Sequence, residues 1–288
     1  MQGQLWPGAS DSLMVAGTLF PRFLLALAAI VPLCLRHRPL ATPKEISQGL
    51  WIGGFATVGM ILQTDGLRYT AASTSAFLTQ FYAISIPVYL ALRQRRAPPW
   101  RVGVSAVLVL IGVAILGHFD WRELRLGHGE VETLAASLFF MWQILWLDHP
   151  AYRENRALPV TAVMMAIQTI VFLGLAVAAA PSWEVWGRLV SSPSWWGLIL
   201  VLALPCTVLT YLIMNRWQPC VSATEAGLIY CFEPIFGSLQ ALCLPALFAR
   251  WAGVAYVNET LTFSLLIGGG LVTVANILIQ LKPPARPA

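Results

Sequence analysis

The residue with the most chemistry to offer is Glu233, a carboxyl within the apolar run 221–248 (VSATEAGLIYCFEPIFGSLQALCLPALF). That run is long enough to cross a bilayer, yet it also carries Glu225, Pro234, Gln240 and Pro245. A charged carboxylate at the centre of a membrane helix costs roughly 2.5 to 3.5 kcal/mol on insertion scales, so such a group is neutral, paired or facing a wet cavity. Tyr230, Glu233, Gly237 and Gln240 follow one another at three, four and three residues, which places a phenol, a carboxyl, a gap and an amide on one side of a helix. That side should face protein or water. Pro234 lacks a backbone donor, and a kink with loosened carbonyls is expected beside the acid. Two readings of Glu233 follow: a carboxyl lining a cavity, or a structural acid that caps the backbone freed by Pro234.

Other polar residues lie in apolar surroundings. Ser75, Thr79 and Tyr82 share a face, with Gln80 close to it. They either line a pathway or, for the hydroxyls of Ser75 and Thr79, bond to their own backbone and permit close packing. Gln63 and Thr64 precede Asp65, an interfacial acid with Arg68 as its partner three residues on. Thr207 and Tyr211 stand one helical turn apart beside Pro205. Gly269, Thr273, Asn276 and Gln280 make a small and polar stripe that reads first as a packing face, and Gln143 between Trp142 and Trp146 could meet a ligand by stacking or hydrogen bonding.

The elements that carry these residues follow from composition. The chain has 288 residues, 58% hydrophobic and 11% charged, with a mean hydropathy of +0.70. A soluble domain is about 25% charged. The apolar stretches run to twice the length of a barrel strand and do not alternate, so an all-α polytopic membrane protein is expected rather than an outer-membrane barrel. Nine spans are predicted, at about 12–35, 48–69, 70–92, 100–118, 131–147, 159–180, 195–217, 221–248 and 261–281. Tryptophans at span ends (Trp100, Trp121, Trp183, Trp186, Trp195, Trp196, Trp217, Trp251) form an interfacial belt. Gly49 and Gly53, and Gly268 to Gly270, are close-packing faces.

The net charge of +5 does not point to nucleic acid, because the basic residues sit in short loops between spans. Alternate loops divide them unequally: twelve on the side holding Arg36, Arg93, Arg153 and Lys282, five on the side holding Arg68 and Arg250, and Arg22 inside the first span. By the positive-inside rule the C-terminus is cytoplasmic and, with nine spans, the N-terminus is outside. Met1 to Asp11 does not resemble a signal peptide, so a further helix upstream is expected; a nine-helix protein with a short translocated tail is the alternative. The five cysteines (Cys34, Cys206, Cys220, Cys231, Cys243) form no CxxC and read as small core hydrophobes, and His37, His118, His128 and His149 have no ligand spacing, so neither metal nor cofactor is expected.

The chain repeats itself weakly. Ala72, Ser73, Phe77 and Phe81 correspond, at an offset of 151, to Ala223, Thr224, Leu228 and Phe232. Two repeats are expected, at 1–118 and 131–282; with five helices each in a complete ancestor they would insert with opposite orientation, an arrangement that commonly puts a ligand site at mid-membrane.

These residues resemble a known family. GLRYTAASTSAFLTQFYAISIPV and PPWRVGVSAVLVLIGVAIL in the first half, with SATEAGLIYCFEPIFGSL and NETLTFSLLIGGGLVTVANIL in the second, resemble the EamA-like branch of the drug/metabolite transporter superfamily. The resemblance covers most of the chain and is strongest at Ala226 to Phe236, with Glu233 and Pro234, and at Asn258, Glu259 and the glycine-rich last helix. Asn258 stands where the family usually has glycine, PALFARWAGVAYV is a longer insertion, and 13–35 is similar to the family's second helix, including its arginine at Arg22, so the first helix has no counterpart.

The resemblance implies two EamA repeats in an inverted-repeat bundle and export or exchange of a small metabolite, amino acid or drug across the cytoplasmic (inner) membrane. On that reading Glu233, Tyr230, Gln240, Thr79, Gln80, Tyr82, Tyr211 and Gln63 are the pathway candidates, and Pro87, Pro205 and Pro234 are bending points for alternating access. The partners are a small-molecule substrate and the lipid bilayer, with a proton through Glu233 and a homodimer compatible with it. An intramembrane enzyme would need a constellation such as HExxH or GxSxG, and none is present, nor is a Walker loop. A non-transporting membrane scaffold remains the other alternative.

Overall fold

The computed structural model describes residues 10–36, 41–93, 95, 97, 100–116, 126–179, 186–187, 190–220, 230, 232–253 and 255–280. The described secondary structure is helical, as expected from stretches too long and too uniformly apolar to alternate. The helices are α1 (Asp11–Arg36), α2 (Pro43–Gly66), α3 (Ala72–Thr79), α4 (Tyr82–Arg93), α5 (Trp100–Leu116), α6 (His128–Leu147), α7 (Ala157–Ala179), α8 (Pro193–Ala203), α9 (Thr210–Trp217), α10 (Glu233–Cys243), α11 (Pro245–Ala252) and α12 (Phe263–Gln280). Among the described residues four stretches are long and apolar enough to span a bilayer by themselves, Ser12–Arg36, Ala72–Arg93, Ala157–Ala179 and Pro193–Cys220, and a fifth would be the pair Glu233–Cys243 and Pro245–Ala252, bent by 47°. Each of the nine predicted spans meets a helix among the described residues, but several of these are shorter or more polar than a lone spanning helix requires. The outward faces are apolar, as with Val107, Leu110 and Ile111 on α5 and Ile170, Val171 and Val177 on α7. Such faces suit lipid and would be costly in water. The chain is therefore a polytopic helical membrane protein.

The chain forms two compact units. The first takes Met1–Ile61, Trp142–Cys220 and Pro245–Val257; the second takes Leu62–Met141, Val221–Leu244 and Asn258–Ala288. Division by compactness thus differs from division into sequence halves at 1–118 and 131–282, because each unit draws on both halves.

In the first unit α1 lies along α7. Val15, Leu19, Phe23, Ala26 and Ile30 recur at helical spacing on α1 and are buried against Val160, Met164 and Phe172 of α7. Phe23 and Phe172 meet with ring centroids 5.1 Å apart. Gly49 and Gly53 of α2 do what a GxxxG pair predicts: a Cβ on Gly49 would fall 2.6 Å from Val163 Cβ, and one on Gly53 would collide with Ile167. Loop residues are tied to the start of α2 by charge. Thr42 and Glu45 form a reciprocal capping box, Thr42 N donating to Glu45 Oε2 at 2.7 Å and Glu45 N to Thr42 Oγ1 at 3.3 Å. Both oxygens of the same carboxylate accept from Arg156, Oε1 from Nε at 2.8 Å and Oε2 from Nη2 at 2.9 Å. Asn155 adds a bond to Gln48 at 2.8 Å. The Arg156 guanidinium, with help from the Thr42 amide and against some desolvation, holds the Glu45 carboxyl down at about 2.

Two expectations change in detail, and a third takes a local form. At Pro205, named above as a bending point, the helix runs on through a π-helical segment, Leu204–Leu209, from α8 into α9. The missing proline N–H is absorbed by widening the hydrogen-bond ring locally. Trp195, placed in the interfacial belt, is buried at 4% exposure, whereas Trp100, Trp217 and Trp251 are exposed as a belt requires. Cys206, Cys220 and Cys243 are exposed, so these are not core residues, whereas Cys34 is half-buried and packs against the first unit's core. Trp121, Trp183 and Cys231 lie outside the described residues.

In the second unit α5 and α12 pack closely. A Cβ on Gly112 would come within 2.8 Å of the Gly268 carbonyl oxygen, and one on Gly269 within 2.6 Å of the Phe77 ring. Gly270 faces open space, so of the three glycines in the run Gly268 serves the contact with α5 and Gly269 the one with α3. Phe77, Leu78, Ile84, Val109, Val113, Val272 and Ala275 fill the core.

Two measurements check this packing. Gly53→Val should lower the thermal unfolding midpoint of the detergent-purified protein by the equivalent of about 1–3 kcal/mol, the usual cost of overpacking, whereas Gly54→Val, at a position with nothing within 4 Å, should leave it within the error. For Glu45, whose carboxyl falls from 4.5 to about 2 on folding, the stabilisation is full above the unfolded value and is lost as pH falls through the folded one. The midpoint of the intact chain should therefore drop between those pH values by more than that of Glu45→Gln.

Candidate functional site

The broken third span positions the site. Ala72–Arg93 has the length of one membrane helix, but α3 ends at Thr79 and α4 begins at Tyr82. At the join the backbone tightens to three-residue bonds: Gln80 N to Phe77 O, Phe81 N to Leu78 O, Ala83 N to Gln80 O and Ile84 N to Phe81 O. Gln80 therefore sits in a break, where its side chain can turn inward. It is fully buried.

Its amide meets the acid singled out above. Gln80 Nε2 donates to Glu233 Oε2 at 3.1 Å and to the Tyr82 hydroxyl oxygen at 3.1 Å, and the Tyr82 hydroxyl donates to Glu233 Oε2 at 3.3 Å. Tyr230 stands edge-on to Tyr82, centroids 6.3 Å apart. Glu233 opens α10 and Pro234 takes the second position of that helix, where a missing N–H costs nothing. The expected mid-helix kink at Pro234 is therefore a helix start among the described residues, and a new helix begins at Pro245. A carboxylate in the first turn also complements the positive end of the helix dipole. Gly237 lets α10 close on α3: a Cβ there would lie 3.1 Å from Ala76 Cβ.

A second polar chain runs through the same unit. Gln63 Nε2 donates to Thr79 Oγ1 at 3.0 Å, Thr79 Oγ1 to the Ser75 carbonyl at 2.8 Å, and Ser75 Oγ lies 3.4 Å from Thr133 Oγ1. Thr79 thus satisfies both readings of a membrane hydroxyl, bonding back to its own helix and holding a neighbour. The amide oxygen of Gln80 is left without a partner, buried, and an acceptor beside a carboxylate offers a place for a ligand's N–H or O–H donors.

Not every candidate gathers here. Gln240 is exposed on α10, and among the described residues no hydrogen bond joins it to this cluster. Tyr211 belongs to the other unit, buried in its core. Pro87 lies inside α4 and Pro205 in the π segment. Gln143 is buried on α6, and Glu225 lies outside the described residues.

Two arrangements go beyond the sequence reading. Glu259 caps α3 from a distant loop: Oε1 accepts from Ala72 N at 2.7 Å and Oε2 from the Ser73 hydroxyl, while Glu259 N bonds the Ala241 carbonyl at 3.0 Å. Ala71, in the capping position, has no side chain to offer, which is the only local signal that the cap must come from elsewhere. His128 is the other. It has no ligand spacing in the sequence, and its Nε2 lies 3.2 Å from Glu132 Oε1, with Asp65 near both, one ligand atom from each residue within 4.8 Å of the others. Asp65 also pairs with Arg68 at 3.0 Å, as their spacing predicts. The three could hold a cation, although the arginine already answers part of their charge.

Comparison with known proteins agrees with this architecture. The chain is 23% identical over 279 residues to a protein of Archaeoglobus fulgidus described as an uncharacterized transporter, covering 93% of this chain and 83% of that one. A second protein so described, from Haemophilus influenzae, is 26% identical over 161 residues, 54% of this chain and 85% of its own. A solved crystal structure matches at a TM-score of 0.56 and 13% identity, covering 96% of this chain and 89% of its own, and so shares the fold. No family model matches the chain. The chain is thus a polytopic helical membrane protein related to proteins described as transporters.

The distant cap yields a direct test. Glu259→Ala should lower stability by about 1 kcal/mol, the usual worth of a helix N-cap, and amide exchange at 72–75 should accelerate while exchange in α7 stays unchanged.

Proposed function

We propose that the protein is a secondary transporter that exports a small metabolite, amino acid or drug across the cytoplasmic membrane by alternating access. The observation that carries this reading is the Glu233 carboxylate joined to Gln80 and Tyr82 at the break between α3 and α4. A spanning helix is broken at the cost of backbone bonds, and irregular backbone at membrane depth is tolerated where it lines a cavity or is buried in protein. Polar side chains gathered at that break give a solute something to exchange for its water. The two relatives described as transporters support the same class.

The finer parts are proposals of the same reading. The chain is assigned to the EamA-like branch of the drug/metabolite transporters, with repeats at 1–118 and 131–282 inserted in opposite orientation and the C-terminus cytoplasmic. Glu233, Tyr230, Tyr82, Gln80, Thr79 and Gln63 form the pathway wall, with Gln240 and Tyr211 as further contacts. Pro87, Pro205 and the break at Pro234 supply compliance for the rocking motion. Coupling runs through a proton on Glu233: protonation removes the charge that Gln80 and Tyr82 hold, so a proton and a cationic group of the solute compete for the carboxylate. Homodimerisation is compatible with the exposed apolar faces.

The test compares metabolites inside and outside cells making the intact protein, Glu233→Gln or no protein, by untargeted mass spectrometry. At least one compound should leave faster with the intact protein, and its efflux should fall at least about tenfold in the variant, the scale of losing one charge-assisted site. Equal efflux from all three, with the proteins shown to be inserted, overturns the reading.

A further inference from the structure

Arg22 is placed in α1, well inside the membrane-spanning stretch Ser12–Arg36. A guanidinium keeps its charge under all physiological conditions and is expensive at that depth, so arginines in such segments pair with an anion, line water or both. Arg22 does not pair with a carboxylate among the described residues, whose ion pairs are Arg68 with Asp65, His128 with Glu132 and Arg156 with Glu45. The ionisable groups around it are Tyr211 and Cys206. Its acceptors are neutral: Nε donates to Thr207 Oγ1 at 2.6 Å and one Nη to the Cys206 carbonyl at 3.3 Å. An arginine has five donors, so among the described residues most of the fork has no acceptor.

Both acceptors come from the π-helical segment Leu204–Leu209. Its origin is Pro205, and the wider register leaves the Cys206 carbonyl free to turn toward the arginine. Thr207 is buried, and its own proton goes to the Leu202 carbonyl at 2.7 Å, which turns an oxygen lone pair to Arg22. The hydroxyl is thereby a fixed acceptor that orients the guanidinium. Such π segments are frequent at functional sites, and one that serves only to cradle a cation with no anion would be a costly construction.

We propose that Arg22, oriented by Thr207 and the π-helical turn, is a binding site for a carboxylate on an organic solute. The free edge of the planar fork matches the two oxygens of a carboxylate, and the fixed positive charge at membrane depth selects for the anion over its neutral analogue. The site's use in transport rests on the function proposed above, but its occupancy does not.

The test therefore reads binding rather than flux. The full-length chain, in nanodiscs of zwitterionic phosphatidylcholine so that no anionic headgroup competes, is unfolded thermally with rising sodium acetate, and with sodium chloride or acetamide as controls. Acetate should raise the midpoint saturably, and neither control should. Arg22→Gln should abolish the rise. Arg22→Lys keeps the charge but loses the fork, and Thr207→Val keeps the fork but loses its anchor; both should fold and shift half-saturation at least about tenfold, or 1.4 kcal/mol. No acetate-dependent rise in the intact chain overturns the proposal, and so does an equal rise in all four proteins. If Arg22 merely ties α1 to the π segment, the variants have lower midpoints and the same acetate response as the intact chain, which also overturns it. Absence of efflux in cells alongside acetate binding at Arg22 would instead count against the transport reading.

Discussion

The rest of the structure depends on one requirement: a polar group placed among apolar side chains and lipid has to find its partner inside the protein. Hydrocarbon offers no hydrogen bonds, so each carboxyl, amide or guanidinium in a span must recruit a side chain or a carbonyl from elsewhere. Gln80 recruits Glu233 and Tyr82, Arg22 recruits Thr207 and the Cys206 carbonyl, and Ser105 and Asn215 reach the Ala275 carbonyl and Thr161. The apolar contacts supply bulk, but these few polar ones decide which helix faces which.

Irregular backbone is the other side of the same requirement. The break at Gln80 and the widening at Pro205 each release carbonyls from the regular ladder and bring a polar side chain to the place where they are released. In both cases sequence-adjacent residues provide the defect and a residue far along the chain provides the partner. The defects are thus local in cause and long-range in consequence.

This explains what could be read from the sequence. Helical class, the extents of most spans, the close-packing glycines at Gly49 and Gly53, and the Asp65–Arg68 pair all follow from period, length or spacing within a few residues, and all are present. That Glu233 needs a partner was also legible, because its cost is intrinsic to the residue; that Gln80 and Tyr82 supply it was not, since they lie 153 and 151 residues away. The break between α3 and α4 escaped as well, because neither glycine nor proline marks Gln80 and Phe81, and Pro87, the nearest breaker, lies inside α4. Glu259 on Ala72 and Ser73 is of the same kind: the vacancy at Ala71 is local, and the residue that fills it is not. The approach of His128 to Glu132 is local, since a histidine at i and a glutamate at i+4 on a helix are neighbours even without a metal motif.

The interleaving of the two compact units bears on biosynthesis. The chain alternates between them, and Pro245–Val257 of one and Asn258–Ala288 of the other are made after the earlier pieces of both. Arg22 therefore waits for Thr207, Gln80 for Glu233, and the first turn of α3 for Glu259. Until those partners are made the nascent chain carries the polar side chains without them, since closing long loops precedes the contacts that reward it. A ribosome stalled before residue 245 would therefore leave both units unfinished at once.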